Sequence, residues 1–328
     1  MKFELHVIEA ALFGILRQCT DSSRDFQPDR RNIVVRTMKH LLRVIGMSIV
    51  LLAAGQAFAN EPVWTVSGLK MPESVEYDAA RNRFYVSNVN GGVMKQDGNG
   101  SIGLIDGSGK LIDVDWVTGL NSPKGLALYK NKLYVADVKQ LVVIDVKIGK
   151  IVARYEANGA KVLNGISIND AGKVFVSDWI GDRIYTLEDG ELKVWLASPK
   201  LNSPNGLWAD NTNLYVASWG KNPKKDDFST ETTGNLKKIS LRTKKIKTLG
   251  QDGRWINMDG IARYPKNKWL VSDFIKGEIL LIDKKGHIEK SLKTKKGSAD
   301  IYFIHKKHLL VVPLLLENQV VAYKLNWN

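Results

Sequence analysis

From residue 61 onward, short apolar runs rich in Val, Ile, Leu, Tyr and Trp alternate with turns built from Gly, Asn, Asp and Pro. That mix favours strands, and spacing suited to helices is scarce outside the N-terminal segment. The runs follow one recurring pattern. SPNGLWADNTNLYVAS at 203–218 is echoed by SPKGLALYKNKLYVAD at 122–137, PESVEYDAARNRFYVSN at 72–88, LNGISINDAGKVFVSD at 163–178, NMDGIARYPKNKWLVSD at 257–273 and SADIYFIHKKHLLVVP at 298–313. Each copy reads as a turn, an apolar strand, a polar turn and a second apolar strand ending in a small or acidic residue. The copies start 40 to 54 residues apart.

A third strand follows every copy (IGLID, LVVIDV, RIYTLE, LKKIS, EILLID, QVVAYKL), and a fourth, more polar strand follows five of them (KLIDVDW, KIVARYE, ELKVWLA, KKIKTL, HIEKSLK). Six repeats of four antiparallel strands predict an all-β chain, a six-bladed β-propeller whose radial closure limits exposed edges. The last copy lacks a fourth strand because the chain ends at Asn328. VWTVSG at 63–68, ahead of the first copy, is expected to supply it and close the ring. A β-sandwich gives no reason for six copies in phase.

The N-terminus differs. Residues 38–59 have the layout of a secretory signal: a basic MKHLLR, the apolar run VIGMSIVLLAAG, then QAFA with Ala57 and Ala59 spaced for cleavage before Asn60. The apolar run is short for a bilayer span, and an uncleaved anchor is the competing reading. Residues 1–37 make little sense as part of an exported signal. They read as a doubtful extension from a mis-assigned start, with Met38 the true one, or as a cytoplasmic or regulatory segment. The expected organisation is 1–37 extension, 38–59 signal peptide and 60–328 propeller, placed in the periplasm or secreted. The one cysteine, Cys19, falls in the extension, so the exported part would have no disulfide, thiolate metal site or cysteine nucleophile.

Charge adds one question. The chain carries 48 Lys and Arg against 34 Asp and Glu, a net charge of +14, which raises nucleic acid as a partner. The lysines, however, alternate with Ile and Leu in stretches such as KKISLRTKKIK and DKKGHIEKSLKTKKG. Alternation puts them on the solvent face of outer strands, and no nucleic-acid motif accompanies them. The expectation is a monomer that takes a small-molecule substrate, binds no nucleic acid and is loosely attracted to anionic envelope surfaces.

The first strand of each propeller blade lines the central channel, so the residue just before the repeat's glycine should point into the channel mouth. Around the ring that residue is Glu73, Lys124, Asn164, Asn205, Asp259 and Asp300. Asn and Asp before Gly also suit tight turns. Turn chemistry does not account for Glu73, which no glycine follows, nor for the convergence on one axis. Two carboxylates and two amide carbonyls suit a hard divalent cation, Ca²⁺ first, with Mg²⁺ and Mn²⁺ as the other candidates. Lys124 could instead be a built-in counter-ion that makes a metal unnecessary. Without a metal, Glu73 and Asp259 would repel each other and one would take up a proton.

These residues carry a resemblance. Over about 62–326 the chain resembles the regucalcin–gluconolactonase (senescence marker protein) family, six-bladed propellers related to diisopropylfluorophosphatase and the paraoxonases. Glu73 in PESVEYD, Asn164 in LNGISINDAG, Asn205 in SPNGLWAD and Asp259 in NMDGIARY match that family's metal ligands, in order and at compatible spacing. The sugar-lactone members carry an Arg two residues before the third-blade Asn and an Asp after it. This chain has Val162 and Gly165 there, and Val75 replaces the Pro of the first motif.

The resemblance implies hydrolysis of a lactone, ester or phosphoester at the cation. Asp259 would be a ligand that also serves as base or nucleophile, and Lys124 would stabilise an oxyanion or pair with Asp300 or Asp259. Substrate selection is expected from the polar loops 88–101 and 219–235. Trp179, Trp219 and Phe274, each directly after a second strand, would either wall the pocket with Asp300 or pack between blades. The alternative function is a non-catalytic ligand- or protein-binding propeller with a structural calcium ion. No haem-attachment or nucleotide-binding motif supports a redox role.

Overall fold

The structure, a computed structural model, describes residues 61–224, 227–250 and 256–327. The segments 1–37 and 38–59 lie outside the described residues. Six four-stranded antiparallel sheets make up the fold. The first five blades have their innermost strands at Pro72–Asp78, Pro123–Tyr129, Leu163–Ile168, Pro204–Ala209 and Met258–Tyr264. The sixth starts at Tyr302–Ile304 and ends on the strand from the other end of the chain.

That closure is the expected one. Pro62–Ser67 pairs antiparallel with Gln319–Lys324, with Val66 opposite Val320 and Ser67 opposite Gln319. Asn318 adds a latch: its backbone carbonyl accepts from the Leu69 N–H at 3.3 Å and its side-chain oxygen from the Met71 N–H at 2.8 Å. The two ends of the propeller therefore hold each other, and Gln319–Lys324 is paired on both sides.

Six apolar clusters, one at each blade-to-blade interface, form the core. Alternation explains them: along a strand, every second side chain points to one face of the sheet, and each blade buries both faces of its inner strands against neighbours. The outermost strands are half-solvated. Lys150–Glu156 alternates between exposed and partly buried positions along its whole length, as the lysine patterning requires.

The glycines at the start of the inner strands are needed for space. A Cβ on Gly125 would lie 2.5 Å from the Asn164 carbonyl oxygen, on Gly165 2.3 Å from that of Asn205, and on Gly206 2.4 Å from that of Asp259. Their backbones are not left-handed, so tight-turn chemistry is not why glycine follows Asn and Asp here. The inner strands simply come too close around the axis for a side chain. Gly206→Ala should therefore cost about 1–3 kcal/mol of stability through overpacking, read as a lower urea midpoint with an unchanged m-value.

Candidate functional site

In five blades the ladder between first and second strands breaks at the same place. Pairing skips from Pro72 to Val75, Pro123 to Leu126, Leu163 to Ile166, Pro204 to Leu207 and Met258 to Ile261. The two residues inside each gap are released from their own blade. The first sends its side chain into the channel mouth, and the second backs onto the next blade. Glu73, Lys124, Asn164, Asn205 and Asp259 are the first residues of these gaps, and all five line one cavity of about 110 Å³.

A serine near the end of the second strand stitches the gap in three blades. The Gly165 N–H donates to Ser177 Oγ at 2.8 Å, and that hydroxyl donates on to the Asn205 carbonyl at 2.7 Å. Ser272 repeats the arrangement between the Gly260 N–H (2.8 Å) and the Ala299 carbonyl (2.7 Å). In the first blade the Ser74 N–H donates to Ser87 Oγ at 2.9 Å. The role of these serines was not read from the sequence, although the signal was present as V-S-N or V-S-D at 86–88, 176–178 and 271–273.

The five cavity residues are each 5% exposed or less. Four of them carry a buried oxygen with no hydrogen-bond partner: Glu73 Oε2, Asn164 Oδ1, Asn205 Oδ1 and Asp259 Oδ1. Leaving such a group unpaired costs about 1–3 kcal/mol, and four acceptors facing one small cavity have the chemistry to hold a cation. Among the described residues no group of three or more His, Cys, Asp or Glu is gathered for a metal; this donor set has two carboxylates and two amides. Oxygen donors of that kind suit Ca²⁺ and not a thiophilic metal.

The fifth residue is a cation of the chain's own. Lys124 Nζ donates to the Ser122 carbonyl at 2.9 Å and to Ser122 Oγ at 3.0 Å, and its ion pair with Asp259 or Asp300 does not form. Burial pulls its ammonium down to about 8, while Glu73, Asp137 and Asp259 hold it up. Burial and then Asp300 push the Glu73 carboxyl up to about 8, with Lys124 pulling the other way. Burial, Glu73 and Asp300 hold Asp259 well above the usual carboxylate range. One lysine therefore leaves both carboxylates under-compensated.

Asp300 is not at the mouth. Ser272 Oγ of blade five reaches the Ala299 carbonyl at the start of blade six, as Ser177 Oγ of blade three reaches the Asn205 carbonyl of blade four. A Cβ on Gly260 would meet the Asp300 Cα at 2.6 Å, where one on Gly206 meets the Gly260 Cα at 3.0 Å. Ala299 therefore holds the mouth position of blade six and Asp300 the glycine position. One residue of offset turns a strand side chain to the opposite side. The Asp300 carboxylate accepts from Ser74 Oγ at 3.0 Å and lines a separate cavity of about 270 Å³ toward the other end of the channel, alongside Glu76 and Arg263. Burial pushes its carboxyl up to about 7.

Trp179, Trp219 and Phe274 do line the mouth cavity, joined by Phe228 from the 219–235 loop and by Val89 and Val93 from the 88–101 loop. The larger loop carries its own short ladder, Gly220–Lys221 against Thr232–Thr233.

No family model matches the chain, and no curated protein matches it in sequence. Its fold is shared with many solved structures. The Kuenenia stuttgartiensis hydrazine synthase matches with a TM-score of 0.56 and 13% identity, over 80% of this chain and 98% of that one. A streptogramin B lyase matches with a TM-score of 0.54 and 14% identity, over 81% and 88% of the two chains. The virginiamycin B lyase from Staphylococcus aureus matches with 0.54 and 14%, over 81% and 89%. At such identities the likeness establishes the propeller architecture and leaves the chemistry to the site.

The serine stitch yields a direct test. Ser177→Ala leaves the Gly165 N–H and the Asn205 carbonyl without that hydroxyl, and should lower the unfolding free energy by about 1–3 kcal/mol in urea denaturation.

Proposed function

We propose that this protein is an exported hydrolase of an ester, lactone or phosphoester, acting at a divalent cation held by Glu73, Asn164, Asn205 and Asp259. Calcium is the first candidate, with magnesium and manganese next. The observation that carries this reading is the set of four partnerless buried oxygens, one on each of these residues, around one cavity. The two carboxylates offset the ion's charge, and the two amides add neutral donors. Water or substrate would complete the six to eight oxygens that calcium takes.

When bound, such a cation polarises a carbonyl or phosphoryl oxygen. The chain's own residues supply the rest. Lys124 has three N–H donors and spends two on Ser122, which leaves one for negative charge developing on the substrate oxygen. Asp259 keeps Oδ1 for the cation, takes the proton of the attacking water at its other carboxylate oxygen, and returns it to the departing oxygen. The small, largely buried mouth keeps bulk water away from these charges, where they act more strongly than in solvent. The substrate is a small molecule, the working form a monomer, and the site of action the periplasm or the exterior.

A second reading, a non-catalytic binding propeller with a structural calcium ion, draws on Val162. This residue is buried in an apolar cluster at the mouth, where a sugar-lactone hydrolase would present an Arg. The position argues against sugar lactones more than against hydrolysis.

Calorimetric titration and elemental analysis of the 60–328 chain should give one equivalent of calcium. At a hundredfold excess over Kd the ion should stabilise the fold by about 2.7 kcal/mol. Both effects should vanish in Asn205→Ala and Asp259→Ala, and a chelator should abolish hydrolysis of phenyl acetate. Failure of any divalent cation to bind or stabilise the wild type would overturn the metal site. Metal binding without turnover of esters, lactones or phosphotriesters would favour the binding module.

A further inference from the structure

Beyond the six interface clusters, a seventh apolar cluster sits at the channel mouth. It contains Val162, Trp179, Trp219, Phe274, Ala299 and Leu315. Its rings pack on one another: Trp179 and Trp219 are T-shaped with centroids 5.5 Å apart, Trp219 and Phe274 lie 5.3 Å apart, and Phe228 lies 6.3 Å from Trp179. These rings form one wall of the cavity that the four oxygens and Lys124 also line.

The two indoles of this wall are treated differently. Trp219 Nε1–H donates to the Phe228 carbonyl at 3.0 Å and so pins the 219–235 loop over the mouth. Trp179 is 6% exposed, yet its Nε1–H meets no acceptor. Buried indole donors normally find a partner, and an unmet one is costly. The wall around it is hydrocarbon, and the four cavity oxygens are not its partners, since they too are unmet. Among the described residues no acceptor reaches this N–H, and an oxygen of a bound molecule would supply one.

We propose that Trp179 is a specificity-determining residue whose indole N–H orients the substrate by donating to one of its oxygens. The site thereby selects esters or lactones that carry an apolar ring for the wall formed by Trp219, Phe228 and Phe274. This inference rests on the hydrolase reading for the word substrate, but its recognition chemistry is independent of the metal. A hydroxyl-rich sugar lactone would bury its hydroxyls against rings that offer them nothing, a desolvation cost that an apolar ring avoids. The cavity of about 110 Å³ is comparable with engineered cavities of roughly 150 Å³ that accept benzene.

Two inert probes of nearly equal shape isolate the donor. Acetophenone has a carbonyl oxygen where α-methylstyrene has a CH₂ group. Ligand-observed NMR titrations in chelator, which removes any cation that would itself attract the carbonyl, should show acetophenone binding about tenfold tighter to the wild type, the worth of one buried hydrogen bond. Trp179→Phe should erase that preference by weakening acetophenone alone. Phe274→Leu should weaken both probes together. A preference that survives Trp179→Phe in folded protein would overturn the proposal, as would failure of both probes to bind. Calcium titration of the same proteins without chelator separates the two ideas: probes that fail while calcium binds sink the role of Trp179, and the reverse pattern sinks the metal reading.

Discussion

The crowding of the inner strands around the channel axis is the constraint on which the rest depends. In four blades the inner strand begins so near its neighbour that the residue after the mouth position has no room for a Cβ beside the next blade's backbone. Glycine meets that demand in four blades. In the other two the position holds Ser74 and Asp300, which are bonded to each other across the closure between blades one and six. The same crowding accompanies a break in the ladder of five blades, and the break frees one residue in each of them to face the channel. A packing limit at the axis thus creates the positions where chemistry is written.

Electrostatics at the mouth follow from that geometry. Five polar side chains are removed from water together, and neither their own blades nor their neighbours satisfy the oxygens of four of them. Lys124 compensates only in part, because its ammonium is tied to Ser122 and the two carboxylates still rise well above their ordinary range. A chain keeps such unpaired groups only where something else holds the structure. Here that support comes from six apolar interfaces and a ring closed by Pro62–Ser67 on Gln319–Lys324. The aromatic wall lies directly over this charged floor, so the cavity offers a polar end and an apolar end to one ligand.

Much of this was legible in the repeats. The blade count, the closing strand and four of the oxygen-bearing residues follow from six in-phase copies. In blade six the repeat SADI, read from sequence, places Asp300 at the mouth. The apolar residue that follows the glycine, Leu207 or Ile261, corresponds to Ile301, and aligning on it would have placed Ala299 at the mouth. Strand register has a period of two, so an offset of a single residue moves a side chain from one end of the channel to the other. The aromatics after the second strands were equally ambiguous, since Trp179 and Trp219 occupy equivalent places in the repeat and look alike as text.

By itself, the sequence determined the architecture and the residue types at the mouth, because strand alternation and repeat period are local properties that survive without coordinates. Only the tertiary structure decided which of those side chains meet. It put Asp300 on the far side, gave the serines their role in bridging blades and spent the Trp219 donor on Phe228 while leaving that of Trp179 unmet. The bonds from the Ala209 N–H to Ser167 Oγ and from the Asn257 amide to the Trp219 carbonyl join blades 42 and 38 residues apart in the chain, and no short stretch of sequence contains both of their partners.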